Sequence, residues 1–190
     1  MTGKLPLEFY QRADVVQVAR DLLGKALVTC IDGVVTSGII TETEAYAGVD
    51  DRASHAFGAR RTQRTEVMYL PGGFAYVYLI YGLHHLFNVV TNVEDIPHAV
   101  LVRAIRPEHG IDTMLQRRKL PQLNARFSGG PGTLSQALGI TTVLTGTSLL
   151  EDVVWLEERP DHGQEITVGP RIGIDYAGED ALLPYRFRIQ

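Results

Sequence analysis

One cysteine, three lysines and no long apolar run set the first limits on this 190-residue chain. The lone Cys30 excludes an internal disulfide and any cysteine-based zinc site; as a small residue inside an apolar strand pattern it is expected in the core. No apolar stretch approaches the roughly 18–20 residues that span a bilayer, and the polar start Met1–Lys4 does not resemble a secretory signal. A cytoplasmic protein without membrane contact is expected. His84 and His85 are adjacent, so on a regular strand they diverge, and no HExxH spacing occurs. A GxSxG elbow is absent too, and the glycine-rich stretch Ser128–Leu138 lacks the GxxxxGK[ST] pattern of triphosphate binding. Neither a metal nor a cofactor is expected, and there are no internal repeats.

Charge is ordinary in amount and segregated in detail. The net charge is −4, yet residues 1–51 hold 4 basic and 8 acidic side chains, residues 52–126 hold 10 and 5, and residues 127–190 hold 4 and 9. Screening confines each charge to about 8–10 Å, so a basic middle third can meet phosphate although the whole chain is acidic. An ordinary solvated surface is the competing explanation.

The length fits one domain, residues 1–190, with a sizeable core. Apolar residues at Val15, Val16, Val18, Ala19, Leu22 and Leu23 follow a helical period, and Gly24 stops it. Ala26–Ile31 and Val34–Ala45 read as strands around the turn Asp32-Gly33, a strong hairpin signal. Alternation puts Glu42, Glu44 and Tyr46 on one face. Two carboxylates there suit either an exposed edge or a site where repulsion and burial raise one pKa. Gly48–Arg64 reads as a long loop carrying His55 and ending in Arg60-Arg61-Thr62-Gln63-Arg64, a cluster suited to phosphate contact or to plain surface.

Phe74–Val90 is the densest aromatic and β-branched run. It reads as a strand carrying Phe74, Tyr76, Tyr78 and Ile80 on one face, a tip at Tyr81-Gly82-Leu83, and a second strand from Leu86. An apolar tip either folds back onto the core or forms a wedge that enters something apolar, such as a base stack. Ala99–Ile105 is a further strand, where Arg103 must face solvent or a carboxylate. Asp112–Lys119 reads as a helix, and the glycine-rich loop runs into another. The last third supplies strands near Val153–Leu156, Ile166–Val168, Arg171–Ile174 and Tyr185–Ile189. The pattern alone gives α+β. Glu44 with Tyr46, Arg103, His55 and the aromatic hairpin could build a pocket for a flat ring.

The segments ETEAY at Glu42–Tyr46, ASH at Ala53–His55, YVYLIYG at Tyr76–Gly82 with Asn88, LVRA at Leu101–Ala104 and GPRIGIDYAGE at Gly169–Glu179 closely resemble the alkyladenine (3-methyladenine) DNA glycosylase family. The match is collinear over nearly the whole chain. It implies an α+β fold of one mixed domain, with a curved antiparallel sheet, surrounding helices and a protruding β-hairpin. The activity it implies is monofunctional: a damaged purine is flipped from duplex DNA and its N-glycosidic bond hydrolysed, leaving an abasic site. Alkylated or deaminated purines of the 3-methyladenine, 7-methylguanine and hypoxanthine type are the implied substrates.

By the same resemblance Glu44 activates water and Arg103 holds it together with the main chain near Ile172. Tyr46, His55 and Tyr78 line the base pocket, and Asn88 discriminates against guanine. Tyr81 fills the gap left in the duplex, with Leu83 beside it, and Arg60, Thr62 and Arg64 contact phosphate. The implied partner is double-stranded DNA bearing damaged purines, met by a monomer that is nucleoid-associated in a bacterium and nuclear in a eukaryote. Lys4, Lys25 and Lys119 lie in no motif, which agrees with the absence of a Schiff-base lyase step. Gln63 and Thr65 stand where the family commonly has proline and asparagine, Thr133 replaces a lysine, and Gly130 extends its loop. These departures bear on DNA affinity and substrate range. The competing functions are a non-catalytic binder of damaged or single-stranded nucleic acid, and a nucleoside or sugar hydrolase using Glu42 and Glu44.

Overall fold

A computed structural model describes residues 3–124, 127–160 and 163–189, so Met1 and Thr2 of the polar N-terminal segment lie outside the described residues. Two short helices, α1 (Leu7–Tyr10) and α2 (Val15–Asp21), open the chain. The Asp14 side chain caps α2 by accepting from the Gln17 amide at 3.0 Å, which satisfies one of the donors a helix start leaves free. Gly24 ends the helical segment at φ 78°, a left-handed conformation that glycine takes without steric cost.

Strands β1 (Ala26–Ile31) and β2 (Val34–Tyr46) form an antiparallel hairpin around Asp32 and Gly33, both at positive φ. That is the backbone a two-residue turn requires to match strand twist. β2 is the centre of an eight-stranded sheet. On one side it pairs along its length with β5 (His98–His109); on the other its first half pairs with β1 and its second half with β8 (Arg186–Arg188). The change of partner coincides with irregular register between Ile40, Glu42 and Thr43, where β2 bulges. β3 (Ala75–Ile80) and β4 (His84–Thr91) extend the sheet beyond β5, while β6 (Val154–Glu157) lies beyond β1 and β7 (Thr167–Gly169) pairs with β8. The architecture is α+β, as the resemblance implies.

The main core lies under this sheet. Ile40, Ala45, Phe87, Val89, Val100 and Val102 meet Val15, Val18 and Ala19 of α2 and Leu134, Ala137 and Leu138 of α4 (Pro131–Leu138). The buried Thr43 hydroxyl donates to the Ala19 carbonyl at 2.7 Å and so fixes α2 against β2. The remaining helix, α3 (Ile111–Arg118), packs beside α4. Among the described residues no helix is long and apolar enough to cross a membrane.

Three expectations change. Glu42 and Glu44 do not stand on an exposed edge, because β5 covers one side of β2 and β8 the other. Arg171–Ile174 is not a strand: the chain bends there, Gly173 takes φ 75°, and a 3-10 turn over Asp175–Leu182 follows. The alternation of apolar residues suggests extended backbone, but Pro170 and Gly173 at positive φ prevent regular pairing. Cys30 is only half-buried, packed near the Trp155 cluster rather than inside the main core.

Candidate active site

The second half of β2 delivers Glu44 and Tyr46, and β5 delivers Arg103 opposite them. Glu44 is fully buried. Its Oε1 accepts from the Ile172 amide at 2.8 Å and faces Arg103 Nη1 at 3.3 Å, while its Oε2 accepts from the Tyr46 hydroxyl at 2.8 Å. Arg103 also donates through Nε to Glu42 Oε1 at 3.0 Å, where Arg186 adds a contact at 3.2 Å. Burial raises the Glu44 pKa, with Glu42 adding to it; Arg103, the Ile172 amide and the Tyr46 hydroxyl work against that rise. Burial, then the charge of Glu44, also pushes the Tyr46 phenol well above its ordinary range.

Glu44 stands at the edge of a cavity of about 650 Å³ whose lining includes Tyr46, His55, Tyr78, Asn88, Arg103 and Ile172. The structure thus brings the candidate pocket residues to one place. His55 Nδ1 is 2.8 Å from the Tyr76 hydroxyl, and its ring meets Tyr78 edge to face at 4.6 Å. Burial, followed by the charges of Arg64 and Arg60, lowers the His55 pKa to about 4, so this imidazole is neutral near pH 7. The buried Asn88 amide donates to the carbonyls of Tyr76 at 3.1 Å and Leu86 at 3.3 Å, which fixes its orientation. Aromatic faces, a neutral imidazole and a buried carboxylate suit a flat, nitrogen-rich ring.

The hairpin tip does not fold back onto the core. Tyr81 is 90% exposed and Leu83 70% exposed. The connection closes with the Leu83 amide on the Ile80 carbonyl at 3.1 Å, and both Tyr81 and Gly82 sit at positive φ. For tyrosine this backbone costs on the order of 1–2 kcal/mol; the strain accompanies an aromatic ring held in solvent. The base of the hairpin is anchored at His84, which packs so closely on Gly132 that a Cβ there would lie 2.9 Å from its ring. This seats the start of α4 beside the cavity. His85 points away and accepts from the Thr142 amide at 3.1 Å.

The basic cluster divides. Arg60 is exposed, while the Thr62 hydroxyl is shared with Thr65 at 3.2 Å inside its own turn. Arg61 is held by Glu66 and Asp95, each at 2.7 Å. Arg64 turns toward the cavity, with its guanidinium carbon 5.1 Å from the centre of the Tyr78 ring. The Thr133 hydroxyl is engaged locally with the Gly130 main chain, at 3.1 Å to its amide and 2.8 Å to its carbonyl. Among the described residues no group of three or more His, Cys, Asp or Glu side chains is placed to hold a metal ion.

Sequence reasoning missed a second buried ion pair. Arg171 donates to both Asp51 oxygens, at 2.8 Å through Nη2, and to the Ala45 carbonyl at 2.9 Å; Asp51 also accepts from the amides of Ala47 and Ala53. The guanidinium lies 4.8 Å from the Tyr46 ring centre. The pair therefore fixes the loop that presents the Ile172 amide and the segment that leads to His55. Asp51 closes an Asx turn onto Ala53, the one local signal its sequence context carries.

Comparison with known proteins agrees with this geometry. A family model described as methylpurine-DNA glycosylase (MPG) matches residues 8–190. A Chlamydia felis protein is 49% identical over 96% of this chain and 94% of its own, and one from Chlamydia pneumoniae is 48% identical over 94% and 91%. A Bacillus cereus relative is 46% identical over 96% of this chain and 93% of its own. All three carry the name "Putative 3-methyladenine DNA glycosylase".

Proposed function

The chain belongs to the methylpurine-DNA glycosylase family, and on that basis we propose that it removes alkylated or deaminated purines from duplex DNA by flipping the base and hydrolysing its glycosidic bond with a Glu44-activated water. In class it is a DNA repair glycosylase, a hydrolase of N-glycosyl bonds whose substrate is DNA. The observation that carries the finer reading is the buried Glu44 carboxylate, bonded to the Ile172 amide and Tyr46 and faced by Arg103, beside an aromatic cavity.

A base inside a duplex is inaccessible, and flipping it costs a few kcal/mol, least for a damaged or mispaired base. Stacking on an aromatic face returns roughly 1–3 kcal/mol, here on Tyr46 and Tyr78. Tyr81, with Leu83 beside it, fills the vacated space in the duplex and slows reinsertion. Asn88 meets the purine edge and rejects the 2-amino group of guanine. Arg60 and Thr62 contact phosphate, and Arg64, of the same cluster, stands beside them at the rim of the base cavity. As the glycosidic bond breaks, the sugar develops oxocarbenium character, which the ionised Glu44 stabilises while Glu44 and Arg103 position water. Water is the nucleophile, so no lysine adduct forms and no strand cleavage accompanies base release. His55, neutral at pH 7, serves as a pocket wall rather than as an acid for neutral lesions.

The test uses duplex oligonucleotides containing an alkylated adenine or hypoxanthine. Glu44→Gln is expected to slow base release by about 10²–10⁴-fold, the usual contribution of a positioned base, with DNA binding retained. Equal binding with no release by either protein would replace this reading with that of a silent binder of damaged DNA.

A further inference from the structure

Two arginines three residues apart have opposite surroundings. Arg61 is neutralised by Glu66 and Asp95 and lies over Tyr69. Arg64 has no carboxylate partner among the described residues; its guanidinium instead lies 5.1 Å from the centre of Tyr78 at the rim of the base cavity. The loop that carries it is stitched in place. Thr65 is buried, its hydroxyl donates to the Arg60 carbonyl at 3.1 Å, and the Glu66 amide bonds the Thr62 carbonyl at 2.8 Å. The charge reaches its neighbours: after burial, Arg64 is the leading cause that lowers the His55 pKa, and it opposes the rise of the Tyr76 phenol. A positive charge with no carboxylate partner among the described residues, hydrogen-bonded to the Tyr76 side chain, thus stands against the ring proposed to stack on the flipped base.

We infer that Arg64 is a specificity-determining residue, whose guanidinium over Tyr78 disfavours bases that carry a positive charge and favours neutral bases with acceptor atoms. A cationic base stacked on Tyr78 would meet a like charge near the same ring, and the guanidinium already draws on the negative potential of that π-system. A neutral ring such as hypoxanthine meets no repulsion, and its ring nitrogens and carbonyl oxygen can accept guanidinium hydrogen bonds. Arg64 is exposed, so solvent screens the repulsion and the bias amounts to about one order of magnitude.

The inference rests on the glycosylase reading, and the experiment separates the two. Single-turnover release of 3-methyladenine, cationic in the nucleotide and, like hypoxanthine, without a 2-amino group, and of hypoxanthine is measured on matched duplexes with protein in excess. Arg64→Gln is expected to raise the ratio of 3-methyladenine to hypoxanthine rates about tenfold, and Arg64→Lys to stay within about threefold of wild type because the charge remains. An unchanged ratio with both bases released overturns the specificity role alone. Rates that fall in parallel, with the salt dependence of duplex binding reduced by about one unit, overturn it in favour of a phosphate contact. Failure of the wild type to release either base overturns the glycosylase reading and this inference with it.

Discussion

Two buried carboxylates lie on either side of Tyr46, and each has an arginine, yet they are built for different ends. Asp51 receives two guanidinium bonds and two main-chain amides. Its oxygens are saturated in a fixed fork, the geometry in which a buried pair is stable and immobile. Glu44 receives one amide, one phenol and a single Arg103 contact at 3.3 Å, and Arg103 is shared with Glu42. Its charge is only partly compensated, and its pKa is raised. Saturation makes the first pair a structural clamp, while incomplete compensation of a buried charge leaves the second with a raised pKa.

Breaking the clamp should give the largest effect on stability. Asp51→Ala leaves Arg171 buried without its partner and is expected to cost about 3–5 kcal/mol, read as a lower denaturant midpoint together with lost base release. A loss below about 1 kcal/mol would remove the distinction between the two sites. Tyr46→Phe should sharpen it: the loss of one hydrogen bond costs about 0.5–1.5 kcal/mol, and without the phenol donor the Glu44 pKa rises further. The acid limb of the pH–rate profile is expected to move upward, whereas an unmoved limb would show that Tyr46 does not act on the Glu44 charge. The smallest effect is a slope. Because the folded pKa of Glu44 lies above its unfolded value, the folded state binds more protons between the two. Stability contributed by protonated Glu44 is therefore fully present below the unfolded pKa and lost as pH rises through the folded one. Melting temperatures of Glu44→Gln should gain on wild type across that window, and parallel curves would mean that Glu44 is not strained by burial.

Much of the fold was legible because local signals agreed: the Asp32-Gly33 turn, the alternation of β3 and the glycine-rich entry to α4. Glu44, Tyr46 and Arg103 were readable as a group because strand periodicity places the first two on one face and leaves a strand-borne arginine to find a carboxylate. What stayed hidden was long-range. Nothing near Arg171 in the chain points to Asp51, 120 positions away, and the apolar alternation of Arg171–Ile174 suggested a strand where Gly173 imposes a bend. The different surroundings of Arg60, Arg61 and Arg64 were equally hidden, because a loop without periodicity does not say which way each side chain turns.

The bulge in β2 separates two settings of register. Its first half is aligned by the Asp32-Gly33 hairpin with β1, and its second half by β8. A change at the Asp32-Gly33 turn acts on the half of β2 that is held by β1 and by the Ser37–Ile40 pairing with β5, not on the half that carries Glu44. The exposed Asp32-Gly33 turn, at the opposite end of β2 from the buried carboxylate, is the point where the chain can accept an insertion or a graft.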